Sequence, residues 1–273
     1  MTATVSSWQV KISRAEHHLA DLDSLAAEYI DGHHYRAKWI SPLDGDDGEW
    51  ILEITAQPSF LLGAILGDYL FNIRSALDHI AVAVTQPKHQ RDIYFPVLAK
   101  SCTIGKCGVK RDAFLHATKG MDPRAAAIIK QSQPFQKWPH ESDPSHPGKR
   151  GPLYVLSEFQ NADKHRALTI LNGGLSDAML IVRVHGGCVT ERSPIPFRHA
   201  NDGAKIGDGN SHSGFAYTEV DVDVVGSGHI SAVVSSKGGN VWHYPISGDT
   251  AITRVILEHA RGIISTLEPI ARA

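Results

Sequence analysis

The stretch that decides the fold is Ser59 to Val84, "SFLLGAILGDYLFNIRSALDHIAVAV". It is apolar enough for a core helix, yet Asp68, Asn72, Arg74, Ser75, Asp78 and His79 interrupt it. On a helical wheel, at about 100° per residue, the interruptions sort into order. Leu66, Tyr69, Leu70, Ile73, Ala76, Leu77, Ile80 and Val84 share one broad face. Asp68, Asn72, Ser75 and His79 form a narrow stripe opposite it, and Arg74 and Asp78, four apart, pair on the flank. The spacing predicts one amphipathic helix over 59–84, with Ser59 suited to its N-cap.

Working outward, residues 10–30 read as a second amphipathic helix, with Ala15, Leu19, Leu22, Ala26 and Ile30 at spacings of three and four. Between the two lie "YRAKWISP" (35–42) and "EWILEITAQP" (49–58), separated by "LDGDDG" (43–48). Two β-rich runs around a Gly/Asp turn predict an N-terminal β-hairpin. "IYFPV" (93–97) reads as a short extended segment running into a proline, followed by short helices at 111–119 and 123–132. The five prolines of "QPFQKWPHESDPSHPGKRGP" (133–152) predict a loop.

"LYVLSEFQNADKHRALTIL" predicts a helix over 153–171, closed by Asn172-Gly173-Gly174. Its apolar arc, Val155, Leu156, Phe159, Ala162, Ala167 and Ile170, also contains Asp163 and Arg166. Buried charges are costly unless paired, so these two are expected to meet each other or partners on a neighbouring helix, of which Arg74 and Asp78 are the natural ones. Beyond it, "MLIVRVHG" (179–186), "FAYTEVDVDVVG" (215–226), "HISAVVSS" (229–236) and "VWHYPI" (241–246) are β-branched or alternating runs. They predict an antiparallel sheet, with "RHANDGAKIGDGNSHSG" (198–214) as a long mobile loop. A helix from about Asp249 to Ile270, capped by Ser247 or Asp249, ends the chain.

The expected fold class is therefore α+β: a bundle of long helices with an N-terminal β-hairpin and an antiparallel sheet inserted before the C-terminal helix. All 273 residues are expected to form a single domain, with the bundle from about 10–30, 59–84, 153–171 and 249–270 and the β-rich insert at about 178–245.

Composition narrows the function. With 42% apolar and 21% charged residues and a net charge of −2, the chain has no global basic field, so nucleic acid would need a local Arg/Lys cluster. Cys102, Cys107 and Cys188 make no disulfide framework and read as reduced thiols. Residues 1–18 lack the pattern of a signal peptide, and Gly63, Gly67, Asp68, Asn72 and Arg74 break the most apolar run, which excludes a membrane span there. These features predict a soluble, cytoplasmic protein with no membrane partner. No Walker loop or nucleophile elbow occurs, and "GDGN" (207–210) lacks the acidic spacing of an EF-hand. No cofactor is implied.

Two segments together resemble a recurring pattern in uncharacterised bacterial proteins. In that pattern an Asn-x-Arg-Ser-x-Leu-Asp-His helix precedes a Gln-Pro-aromatic turn and an Asn-x-Asp-Lys-His-Arg helix. The matching residues are Asn72, Arg74, Ser75, Leu77, Asp78 and His79, then Gln133, Pro134 and Phe135, then Asn161, Asp163, Lys164, His165 and Arg166. This resemblance spans roughly residues 60–171 and brings no activity with it.

Arg74 to His79 also resembles the Arg-x4–6-His motif of HEPN domains, helical bundles of prokaryotic defence and toxin systems. Many of those are metal-independent ribonucleases assembled at a dimer interface. The resemblance implies a homodimer acting on RNA or a nucleotide. Arg74 would hold the phosphate, His79 would move the proton and Asp78 would orient one of them. Asn72, Ser75, Asp163, Lys164, His165 and Arg166 would extend the anion site. Arg111/His116, Arg192/His199 and Arg254/His259 meet the same spacing, so the pairing with 161–166 is what singles out Arg74 and His79.

Two other readings stand beside this one. In the first, Arg74, Asp78, Asp163 and Arg166 are a buried network that docks the two helices, the protein is not an enzyme, and the sheet binds a partner. In the second, His17, His79, His165 and His259, with Glu16, Asp78, Asp163 and Glu258 nearby, supply a mononuclear metal site. No Glu-x-x-His repeat supports a di-iron centre, and no metal ligand is assigned.

Overall fold

The structure, a computed structural model, describes residues 5–32, 34–40, 47–98, 102–104, 110–137, 151–165, 169–184, 190–194, 203, 205–210, 220–235, 241–247 and 251–273. The chain begins with helix α1 (Ser7–Asp31), strands β1 (Tyr35–Ile40) and β2 (Asp47–Ile54), and helix α2 (Leu61–Ala83). A 3-10 turn (Pro87–Asp92), strands β3 (Cys102–Ile104) and β4 (Lys110–Asp112), and short helices α3 (Ala113–Ala117), α4 (Pro123–Ser132) and α5 (Pro134–Lys137) follow. Helix α6 (Pro152–His165) leads into strands β5 (Thr169–Val184), β6 (Thr190–Pro194), β7 (Lys205–Asn210), β8 (Val220–Ser235) and β9 (Val241–Pro245), and helix α7 (Ile252–Ala271) comes last. The fold is α+β, with antiparallel sheets set among the helices.

The helices form where apolar residues recur at three and four. α1 buries Trp8, Ile12, Ala15, Leu19, Leu22 and Ala26 along one stripe. Its polar residues make a ladder along the seam with α7, which runs antiparallel to it. Trp8 Nε1 and Gln9 Nε2 donate to Glu268 Oε1 at 3.3 and 2.8 Å, Arg261 pairs with Glu16, and Arg254 Nη2 lies 2.5 Å from Asp23 Oδ2. α2 docks on the start of α7, where the buried Tyr69 hydroxyl donates to the Thr253 carbonyl at 2.5 Å. Burial pushes the Tyr69 phenol well above its ordinary pKa, so it stays a neutral donor.

The predicted apolar face of α2 is buried at all of its eight positions, from Leu66 to Val84. The Ser59 hydroxyl accepts a hydrogen bond from Leu61 N–H at 3.2 Å, but the N-cap is Phe60, with no side-chain cap, so Ser59 sits one residue before the capping position expected of it. At the other end, Gln90 Nε2 donates to the Thr85 carbonyl at 2.9 Å and to the Val82 carbonyl at 3.3 Å, the latter also accepting from Thr85 N–H.

Several sequence expectations need correction: Pro134–Lys137 of the expected 133–152 loop form α5, the helix expected at 111–119 is only Ala113–Ala117 behind β4, and the described parts of the runs 215–226 and 229–236 are one continuous strand, β8. The helix expected over 153–171 ends at His165, and the chain is already extended at Thr169. Leu and Ala prolong the helical pattern on paper, but Thr169 and Ile170 are β-branched and pair with Val233 and Ala232. The sheet therefore starts at 169 rather than about 178, and Asn172, Gly173 and Gly174 lie in the strand instead of capping a helix.

The stretch 198–214, expected as a loop, contains β7, which pairs antiparallel with β2 and makes the N-terminal hairpin three-stranded. Gly209 sits opposite Gly48 and Gly207 opposite Trp50. Its glycines hide the strand from propensity, and pairing with a partner strand far away in sequence supplies the stability instead.

The N-cap of α7 is Ala251, with no side-chain cap, so Ser247 does not fill that role. Its hydroxyl instead accepts from Ile230 N–H at 3.4 Å. Asp249 lies outside the described residues.

The second sheet has the order β6-β5-β8-β9, all antiparallel. Its inner end meets the helices: Ile230, Ala232, Tyr244 and Ile246 belong to the same buried cluster as the faces of α1, α2, α6 and α7. Phe159 of α6 packs edge-on against Tyr244 with ring centroids 5.1 Å apart. No described helix is long and apolar enough to cross a membrane.

Candidate functional site

Six residues after the 3-10 turn, Ile93 to Leu98, run along the flank of α2 without belonging to any strand. Such a strap has a physical problem. Phe95 and Pro96 are buried, and buried main-chain N–H and C=O groups need partners. Pro96 also biases Phe95 toward an extended backbone, which keeps the segment from curling into helix.

Side chains solve the problem in place of a neighbouring strand. Arg74 Nη2 donates to the Phe95 carbonyl at 2.7 Å, and Phe95 N–H donates to Asp78 Oδ1 at 2.8 Å. The two α2 residues, one turn apart, thus present a donor and an acceptor as a β-partner would. They also pair with each other, Arg74 Nη2 lying 3.2 Å from Asp78 Oδ1. The Arg74 guanidinium carbon stands 5.9 Å from the centre of the exposed Tyr94 ring.

Gln133, fully buried, does the same for the other end of the strap. Its Nε2 donates to the Pro96 carbonyl at 2.8 Å, and its Oε1 accepts from Leu98 N–H at 3.0 Å. A further bond from Nε2 to the Ile129 carbonyl, 3.1 Å, ties it to the end of α4. One amide carries both a donor and an acceptor, which is why glutamine suits this position.

The remaining residues of the stripe divide. Asn72 is buried, and its amide donates back to the Asp68 carbonyl at 2.8 Å. Asp68 is exposed and Ser75 half-buried. His79 is half-buried as well, and its Nδ1 is shielded from solvent with no hydrogen-bond partner. His79 is thus next to Asp78 in sequence, but its Nδ1 makes no hydrogen bond to the strap.

On the second segment, Val155, Leu156 and Phe159 are buried as predicted, and Asn161 is exposed. Gln160 Nε2 donates to the Leu70 carbonyl at 3.4 Å, a direct polar link from α6 to α2. The side chains of Asp163, Lys164 and His165, and all of Arg166, lie outside the described residues, as do those of Cys102, Cys107 and Cys188.

The expected partnership of Arg74 and Asp78 with Asp163 and Arg166 therefore stays an expectation. What the described residues add is a partner that sequence reasoning missed: the main chain of Phe95. A signal for it was available, because "IYFPV" is an extended segment with no strand assigned to pair with it.

Of the other histidines proposed as ligands, His17 is exposed and its Nδ1 lies 2.8 Å from the Ser13 carbonyl, while His259 is half-buried. Among the described residues no three His, Cys, Asp or Glu side chains converge as a metal site. Arg254, of the alternative Arg-x4-His pair, is engaged with Asp23.

Comparison with protein-family models, with curated proteins and with solved structures finds no match to this chain. The site is therefore read from its geometry alone.

Proposed function

We propose that this chain is a non-catalytic binding protein, in which Arg74, Asp78 and Gln133 form a clasp that fixes the 93–98 strap to the helices. The inserted β6-β5-β8-β9 sheet would offer the binding surface. One observation carries this reading: both hydrogen-bonding groups of Phe95 are taken, its carbonyl by Arg74 and its N–H by Asp78. A guanidinium that neutralises a phosphate must bring net positive charge and free N–H groups to it. Here Asp78 offsets that charge, and part of the fork is committed to a carbonyl.

The test is an RNA-cleavage assay with chelator present, on wild type, His79→Ala and Arg74→Ala, alongside urea denaturation of each. The clasp reading expects no cleavage by any of the three and a lower urea midpoint for Arg74→Ala. Cleavage by wild type that disappears in an equally stable His79→Ala protein would overturn it.

A second reading has one observation in its favour. His79 Nδ1 is shielded and unpartnered, so this imidazole is not held by a hydrogen bond at that nitrogen. In that reading the chain is a HEPN-like, metal-independent ribonuclease of a defence or toxin system, working as a cytoplasmic homodimer on RNA or a nucleotide. His79 would be the acid/base and Arg74 the phosphate ligand. Asn72, Ser75, Asp163, Lys164, His165 and Arg166 would line the anion site. The same assay decides between the two.

A further inference from the structure

We draw no further inference here: the strongest candidate, the exposed apolar row of Phe60, Ala64 and Phe71 along the outer face of α2, carries nothing because nothing in the structure shows what covers it.

Discussion

Arg74 and Asp78 hold the Phe95 end of the strap with two charged side chains from one helix, whereas Gln133 holds the Pro96–Leu98 end alone with a neutral amide. The difference follows depth. Gln133 is fully buried, while the Arg74 and Asp78 side chains keep 20% and 31% of their surface. Burying a charge pair completely costs more than its attraction returns unless every lone pair and proton is matched, so the deeper grip is uncharged and the charged one stays near water. Both ends teach the same lesson about polar residues in an apolar pattern. They are not evidence of chemistry until the main chain's own needs around them have been met.

The largest effect is expected at the deep end. Gln133→Ala strips partners from the Pro96 carbonyl and the Leu98 N–H and leaves a small void, a loss of about 2–4 kcal/mol in unfolding free energy by urea titration. Gln133→Glu is a sharper version, because it keeps the shape but replaces the donor with a second acceptor facing the Pro96 carbonyl. It should be as damaging as Ala at neutral pH.

Arg74→Ala should cost less, about 1–3 kcal/mol, since water can reach the Asp78 carboxylate and part of the vacated site. If Arg74→Ala proves costlier than Gln133→Ala, the ordering by depth is wrong.

A third polar grip, Arg254 on Asp23, joins two helices rather than a helix and a strap, and it sharpens the comparison through pH. Burial raises the Asp23 carboxyl above its usual value, and the attraction of Arg254 only partly opposes this. A carboxyl raised on folding is penalised while ionised, so the folded state regains stability as pH falls through its folded pKa toward its unfolded one. Relative to Asp23→Asn, which cannot titrate, wild type should gain in urea midpoint between pH 7 and pH 4. A relative loss on acidification would mean that the Arg254 attraction dominates.

The smallest effect is expected at His79. With no hydrogen bond at Nδ1 and partial exposure, His79→Ala should shift stability by about 1 kcal/mol or less. A much larger loss would mean that the ring carries packing of the same weight as the clasp.

Much of this fold was legible in the sequence. The α2 periodicity placed its apolar face residue by residue, and the hairpin runs around "LDGDDG" placed β1 and β2. Both depend on patterns contained within one element. β7 and the early end of α6 were not legible for the same reason in reverse. Each is decided by pairing with a strand distant in the chain, β2 for "KIGDGN" and β8 for Thr169-Ile170, and propensity cannot see that partner.

The site was half legible. Arg74 and Asp78 stood out by type and spacing, whereas Gln133 entered only through the Gln-Pro-aromatic turn of the resemblance, and the need for a polar partner was argued for Asp163 and Arg166. The partner was sought among charged side chains, yet a strap crossing the flank of the helix offers its backbone first.

Among the described residues Asp78, rather than a neighbouring strand, accepts from the Phe95 N–H of the strap, and amide hydrogen exchange at Phe95 reads that bond directly. The Phe95 amide should be strongly protected in wild type and released by at least about tenfold in Asp78→Ala, beyond the change at core amides of α2. A Phe95 amide that exchanges freely in wild type, or one whose protection Asp78→Ala leaves untouched, would contradict it.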